Sequence, residues 1–163
     1  MSKDQLKRYM ARKIGMAQAT ARTIADRAPR LLIIAGATGT GKSTASLKIA
    51  AKSKFARIIS TDAIREIMRV CDHEGEQTAL HRSSFSIGSA NDPVIDWLDT
   101  CQAVETGIEA TINRALREGI DLLLEGVHIV PSEKLLAPWR DAGGIALGVI
   151  QDFQAVVPYD LPI

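Results

Sequence analysis

Residues 36–43 read Gly36-Ala37-Thr38-Gly39-Thr40-Gly41-Lys42-Ser43, a full match to G-x-x-x-x-G-K-[ST]. No other feature of the chain constrains its fold so tightly. Glycines let backbone N–H groups turn inward around a phosphate without Cβ clashes, and a helix N-terminus behind them adds positive potential. Such a loop needs a strand before it and a helix after it. Leu31-Leu32-Ile33-Ile34-Ala35 is a short apolar run of the kind buried in a parallel sheet, and a helix is predicted from about Lys42 to Ser53. Gly36, Thr38, Gly39, Thr40, Gly41, Lys42, Ser43 and Thr44 are therefore the candidate phosphate-cradling residues. Lys42 is spaced to reach the β- and γ-phosphates and Ser43 to ligate Mg²⁺. The loop implies a nucleoside triphosphate with Mg²⁺. It leaves open what becomes of the γ-phosphate, because motors, switches, kinases and inert binders share it.

The rest of the chain alternates in the same way. Arg57-Ile58-Ile59-Ser60 reads as a second strand, followed by a helix from Thr61-Asp62 toward Val70. The polar stretch 72–92 is expected to be partly loop. Ile95, Leu98, Val104, Ile108, Ile112, Ala115 and Leu116 then mark one face of a long helix, with Gly119 at its C-terminal cap. Ile120–Glu125 is a predicted third strand, Ser132–Ala142 a short helix and Ile145–Ile150 a fourth strand. Val156 lies in a further short apolar run. Strands alternating with helices argue for an α/β parallel sheet with right-handed crossovers.

Ahead of this region, Leu6, Met10, Ile14, Ala17, Ala21, Ile24 and Ala28 form one stripe of a helix ended by Pro29. Residues 1–29 are thus expected to be an amphipathic helical extension of a domain spanning 30–163. Charge divides along the same line. Residues 1–30 carry eight Lys or Arg against two Asp, and the remainder twelve against seventeen acids, for a formal net charge of +1. The basic stretch has two readings, a solvated helix and a contact for nucleic acid, acidic lipid or an import receptor. An aromatic content of 4% argues against nucleic acid. With 46% hydrophobic and 24% charged residues the chain is not disordered, and no apolar run approaches the ~20 residues of a membrane span. Cys71 and Cys101 allow at most one disulfide, and the expected setting is the cytoplasm.

In open parallel sheets, ligands bind beyond the carboxyl ends of the strands. Two polar clusters fall there. Asp62, after the second strand, either accepts a proton from an attacking hydroxyl and supports Mg²⁺, or caps the helix that follows. Arg65 and Arg69, one turn apart, suit an anionic group or are simply solvated. Glu125, after the third strand, stands where a Walker-B-type acid orients Mg²⁺ or water. His128 is a candidate ligand group or a structural histidine. His81, Ser83 and Ser84 lie in a segment suited to covering a substrate.

Taken in order, Gly36 to Thr44, Thr61-Asp62-x-x-Arg65, Leu80-His81-x-Ser83-Ser84-Phe85 and Glu125-Gly126-Val127-His128-x-x-Pro131 resemble the two-phosphoglycerate kinases over about residues 30–150. The resemblance implies a three-layer P-loop kinase fold with a parallel sheet of four to five strands. It also implies ATP-dependent transfer of the γ-phosphoryl group to a hydroxyl of a small anionic, phosphorylated acid. Lys42, Asp62 and Glu125 would be catalytic, with Ser43, Asp62 and Glu125 around the metal. Arg65, Arg69, His81, Ser83, Ser84 and His128 would hold the acceptor. The thirteen residues after Ile150 contain no arginine and are too few for the lid and last elements of such kinases, so the domain is expected to be truncated. The rival expectations are an ATP-binding protein without turnover and a nucleic-acid-associated ATPase.

Overall fold

The computed structural model describes Gln5, Arg8, residues 27–82 and 92–152, and the backbone of Val156–Pro158. The apolar runs become β1 (Arg30–Ala35), β2 (Arg57–Ser60), β3 (Leu122–Gly126) and β4 (Ile145–Gln151), with a short β5 (Val156–Pro158). Between them lie α1 (Lys42–Ser53), α2 (Thr61–Cys71), α3 (Thr78–His81), α4 (Pro93–Glu118) and α5 (Glu133–Asp141). The predicted N-terminal helix falls outside the described residues for most of its length. Its expected end, residues 27–29, is not helical and leads straight into β1.

The sheet order is β2-β3-β1-β4-β5. The first four strands are parallel, and β1 sits between β3 and β4 with Ile34 opposite Glu125 on one side and Val149 on the other. β5 is antiparallel to β4. Residues 152–155 are too few for the crossover that a parallel neighbour requires. Both faces of the sheet are covered, which gives three layers. Small residues on α1, Ser46 and Ala50, let it approach Ile34 and Leu123 closely. On the other face Leu31, Ile33, Leu122 and Leu124 pack against Ile64 of α2, Val104, Ile108 and Ile112 of α4, and Leu136 and Trp139 of α5. The chain is an α/β P-loop domain, as its strand–loop–helix pattern requires.

One strand start differs from the pattern. The third strand begins at Leu122 rather than Ile120. Gly119 is left-handed, and the N–H of Ile120 returns to the Ala115 carbonyl while that of Gly119 goes to Leu116. These two bonds close the long helix in a Schellman motif and remove Ile120 from the ladder. Asp121 also lies before the strand, and its carboxylate accepts the Arg30 backbone N–H at 2.8 Å and ion-pairs with the Arg27 and Arg30 side chains. The other end of α4 is set by Asp92, whose side chain accepts from the N–H groups of Val94 and Ile95, with Pro93 in the first turn. Cys71 and Cys101 are both free thiols, and burial pushes that of Cys101 up to about 12. Among the described residues no helix is long and apolar enough to cross a membrane.

Candidate functional site

The carboxyl ends of β1, β2 and β3 deliver three polar groups to one place. From β1, the chain enters the glycine-rich loop. Gly39 and Gly41 adopt φ near +84° and +85°, a region in which a side chain would be strained. Gly36 has a different reason for lacking a side chain. A Cβ there would collide with the backbone carbonyl of Gln151, at the end of β4. Gln151 in turn donates from Nε2 to the Thr40 carbonyl at 2.7 Å, tying the loop to the neighbouring strand. Thr40 closes the turn internally through Oγ1 to the Ala37 carbonyl at 2.9 Å.

Lys42 lies across this loop, buried, with Nζ donating to the Ala37 carbonyl at 2.6 Å. Burial pulls its pKa down from the ordinary lysine value, opposed by the charges of Glu125 and Asp62. Ser43 points the other way, and its hydroxyl donates to Glu125 Oε1 at 3.1 Å. Glu125 is itself buried at the end of β3. A serine hydroxyl and a carboxylate brought together beside a phosphate loop match the protein's share of a Mg²⁺ shell, which keeps waters and takes its other ligands from phosphate. Among the described residues no group of three His, Cys, Asp or Glu could hold a metal ion by itself. The donor set therefore fits Mg²⁺ carried by a nucleotide rather than an all-protein metal site.

From β2 comes Asp62. Pattern left open whether it caps the following helix, and the geometry decides. The helix starts at Thr61 and is capped by Ser60, whose Oγ accepts from the Ala63 N–H at 3.1 Å. Asp62 is thereby released from capping. Its side chain is 70% exposed and its Oδ1 lies 3.3 Å from His128 Nδ1. His128 is 1% exposed; it stands behind Asp62 and also lines a cavity with Cys101, Ile129 and Leu135. Burial lowers its pKa, as do Arg65 and Lys42, while Asp62 acts in the opposite sense.

The predicted acceptor residues are distributed differently. Arg65 turns away along the chain, donating from Nε to the Leu80 carbonyl at 3.0 Å and from Nη2 to the Arg82 carbonyl. It clamps α3 to α2 while remaining in the electrostatic field of Asp62. Arg69 pairs with Glu66 on its own helix. His81 Nε2 contacts Asp72 at 3.1 Å, and Asp72 also accepts the backbone N–H groups of Gln77 and Glu76. Those bonds, Gln77 first, hold the Asp72 carboxyl below the usual range. Arg69 and His81 thus make local contacts at the α2–α3 corner. Ser83 and Ser84 lie outside the described residues.

Three contributors escaped the sequence reading. Thr61, fully buried, accepts the His128 backbone N–H at 3.4 Å. Gly126 permits this approach, because a Cβ there would overlap the Thr61 side chain. Trp97 of α4 donates from Nε1 to the Val127 carbonyl at 2.6 Å and holds the same turn from a second helix. Gln151 is the third, and it had a usable signal. It is a polar residue ending an apolar strand, the same mark that singled out Glu125.

The chain matches no family model. Among solved structures, a mutant APS kinase of Mycobacterium tuberculosis aligns with 83% of this chain and 82% of its own, at 17% identity and a TM-score of 0.46. Curated relatives are closer in sequence. A 2-phosphoglycerate kinase of Methanopyrus kandleri is 40% identical over 110 residues, covering 63% of this chain and 34% of its own. Proteins of the same name from Methanothermobacter thermautotrophicus and Thermococcus kodakarensis are 35% and 38% identical, over 63% and 61% of this chain and 37% of each relative. The chain is similar to 2-phosphoglycerate kinases, and it spans about a third of the length of these curated relatives.

Proposed function

We propose that this chain binds ATP with Mg²⁺ and transfers the γ-phosphoryl group to a hydroxyl of a small phosphorylated acid, with 2-phosphoglycerate as the first acceptor to try. The observation that carries the reading is the contact between Ser43 and Glu125, with Asp62 beyond the next strand end. That arrangement joins a phosphate loop, a metal-supporting acid and an exposed carboxylate, the parts that phosphoryl transfer to an alcohol requires. The name of the curated relatives supplies the acceptor class.

The loop amides and Lys42 would draw charge from the phosphates as the bond between the γ-phosphorus and its bridging oxygen breaks. Ser43 and Glu125 would hold the Mg²⁺ shell, which would supply positive charge to neutralise the phosphates. Asp62 would orient the acceptor hydroxyl and take its proton as the new oxygen–phosphorus bond forms, leaving ADP and the phosphorylated acceptor. Arg65, already within the field of Asp62, would add positive potential on the acceptor side. The basic segment 1–30 has no part in this reading, and the domain proper is taken to begin at β1.

The test is ADP release measured across a panel of anionic acceptors, with wild type and Asp62→Asn side by side. The reading expects 2-phosphoglycerate or a close analogue to stimulate release. It expects Asp62→Asn to lose about 10²–10⁴ in kcat, the usual contribution of a placed general base, with little change in the KM for ATP. An Asp62→Asn variant with unaltered kcat would remove Asp62 from the mechanism. ATP binding with no release on any acceptor would favour the binder without turnover.

A further inference from the structure

We propose that His128 is a positioning residue for Asp62, donating its Nδ1–H to the Asp62 carboxylate and setting the direction in which that carboxylate faces the site. The inference rests on the phosphoryl-transfer reading for its catalytic consequence, but not for its geometry. The sequence alone leaves His128 as either a ligand group or a structural histidine. With only 1% of its side chain exposed, the imidazole stands behind the exposed carboxylate of Asp62, the group through which it would act on the site. Among the described residues, Asp62 Oδ1 lies 3.3 Å and Thr61 Oγ1 3.5 Å from its Nδ1. They demand opposite things of the ring. An ionised carboxylate can only accept, so Asp62 requires a proton on Nδ1, whereas the threonine hydroxyl could give its proton to a bare Nδ1. The Thr61 oxygen already accepts the His128 backbone N–H at 3.4 Å, and the carboxylate is the nearer and more strongly attracting partner of the two.

The ring is well placed to serve as a fixed point. The turn that carries it is held from α4 by the Trp97 indole N–H on the Val127 carbonyl, and from α2 by Thr61, which fits there because Gly126 has no side chain. Asp62, by contrast, is exposed and is not committed to capping its helix. An exposed aspartate has several rotamers of similar energy, and a single bond to an immobile donor selects one. Burial lowers the His128 pKa, with Asp62 acting against it and Arg65 and Lys42 acting with it. A carboxylate misplaced by about 1 Å can cost on the order of 10² in rate, which is the scale on which such a donor matters.

The first measurement needs no substrate. Long-range ¹H–¹⁵N correlation identifies the tautomer of each of the three histidines, with His128 assigned by the signal missing in His128→Asn. The proposal expects His128 to carry its proton on Nδ1, and expects that population to fall in Asp62→Ala, where the acceptor is gone. A ring protonated on Nε2 in the wild type would mean that Nδ1 accepts from Thr61, and would overturn the proposal. So would a tautomer indifferent to Asp62→Ala. The second measurement is kinetic. His128→Leu should lower kcat about 10-fold or more while leaving the KM for ATP within about twofold, and His128→Asn, which keeps a donor near the Nδ1 position, should recover most of the loss. Equal losses in the two variants would contradict positioning. If the wild type transfers no phosphoryl group, the functional reading fails, and the tautomer still decides whether His128 directs Asp62.

Discussion

Lys42 concentrates the tension in the site. Its ammonium is buried against the loop, where removal from water disfavours charge, and it is kept there by the Ala37 carbonyl and the fields of Glu125 and Asp62. A triphosphate would add the strongest opposing charge of all. Lys42→Met should therefore cost about 10²–10³ in turnover, the range for loss of one preorganised donor at developing charge, with a much smaller change in melting temperature. Loss of stability without loss of turnover would mean that the lysine is structural. At this scale the sequence was informative where one residue type has one use. Ser43 touches Glu125, and Lys42 lies within the field of that carboxylate. The sequence was uninformative for Arg65, Arg69 and His81, because a cation on a helix face can meet an anion or a nearby carbonyl equally well. Only the path of α3 decides between them, and here it brings the Leu80 and Arg82 carbonyls to Arg65.

Among the elements, the helix boundaries were legible where a backbone requirement is written into a residue type. α1 runs from Lys42 to Ser53 as predicted, bounded by left-handed Gly41 and Lys54, and α4 ends at left-handed Gly119. What stayed hidden was how elements meet. The step from β3 to the turn at Val127 looks like any strand end, yet it is shaped by the approach of Thr61 from α2. Gly126→Ala tests this. The added methyl meets the buried Thr61 side chain and should destabilise the fold by about 1–3 kcal/mol as an overpacked position does. Chemical denaturation reads this directly, and a variant as stable as the parent would show that the turn has room to move. The β5 strand is a second case. A short apolar run allowed it, but its antiparallel direction depended on the length of the preceding link.

Across the whole molecule, stability and chemistry occupy opposite ends of the sheet. The amino end is organised around Asp121, 1% exposed and held by Arg30, Arg27 and the Arg30 backbone N–H. Burial alone would raise its pKa, but the bonds from Arg30 and Arg27 outweigh that, and the carboxyl titrates below its ordinary value. A carboxyl depressed in the folded state stabilises the fold above its unfolded pKa, about 3.9, and that contribution is lost as pH falls through the folded value. Asp121→Asn should thus lower stability at neutral pH by on the order of 2 kcal/mol, less than a fully buried pair because both arginines reach solvent. It should also flatten the acid limb of the stability curve below about pH 4, with nucleotide affinity unchanged, since the loop lies at the far end of β1. An unaltered acid limb would remove Asp121 from that role. None of this could be read from the sequence, where Asp121 appeared as a strand residue, because its partners are about ninety positions away.

The central claim, that three strand ends assemble a phosphoryl-transfer site, is tested most directly by a phosphorus NMR time course of the purified chain with Mg·ATP and 2-phosphoglycerate. The account predicts ADP resonances growing in step with a new phosphate ester of the acceptor, and neither appearing with Lys42→Met. ATP resonances that stay unchanged in position, width and intensity beside the wild-type chain would contradict it.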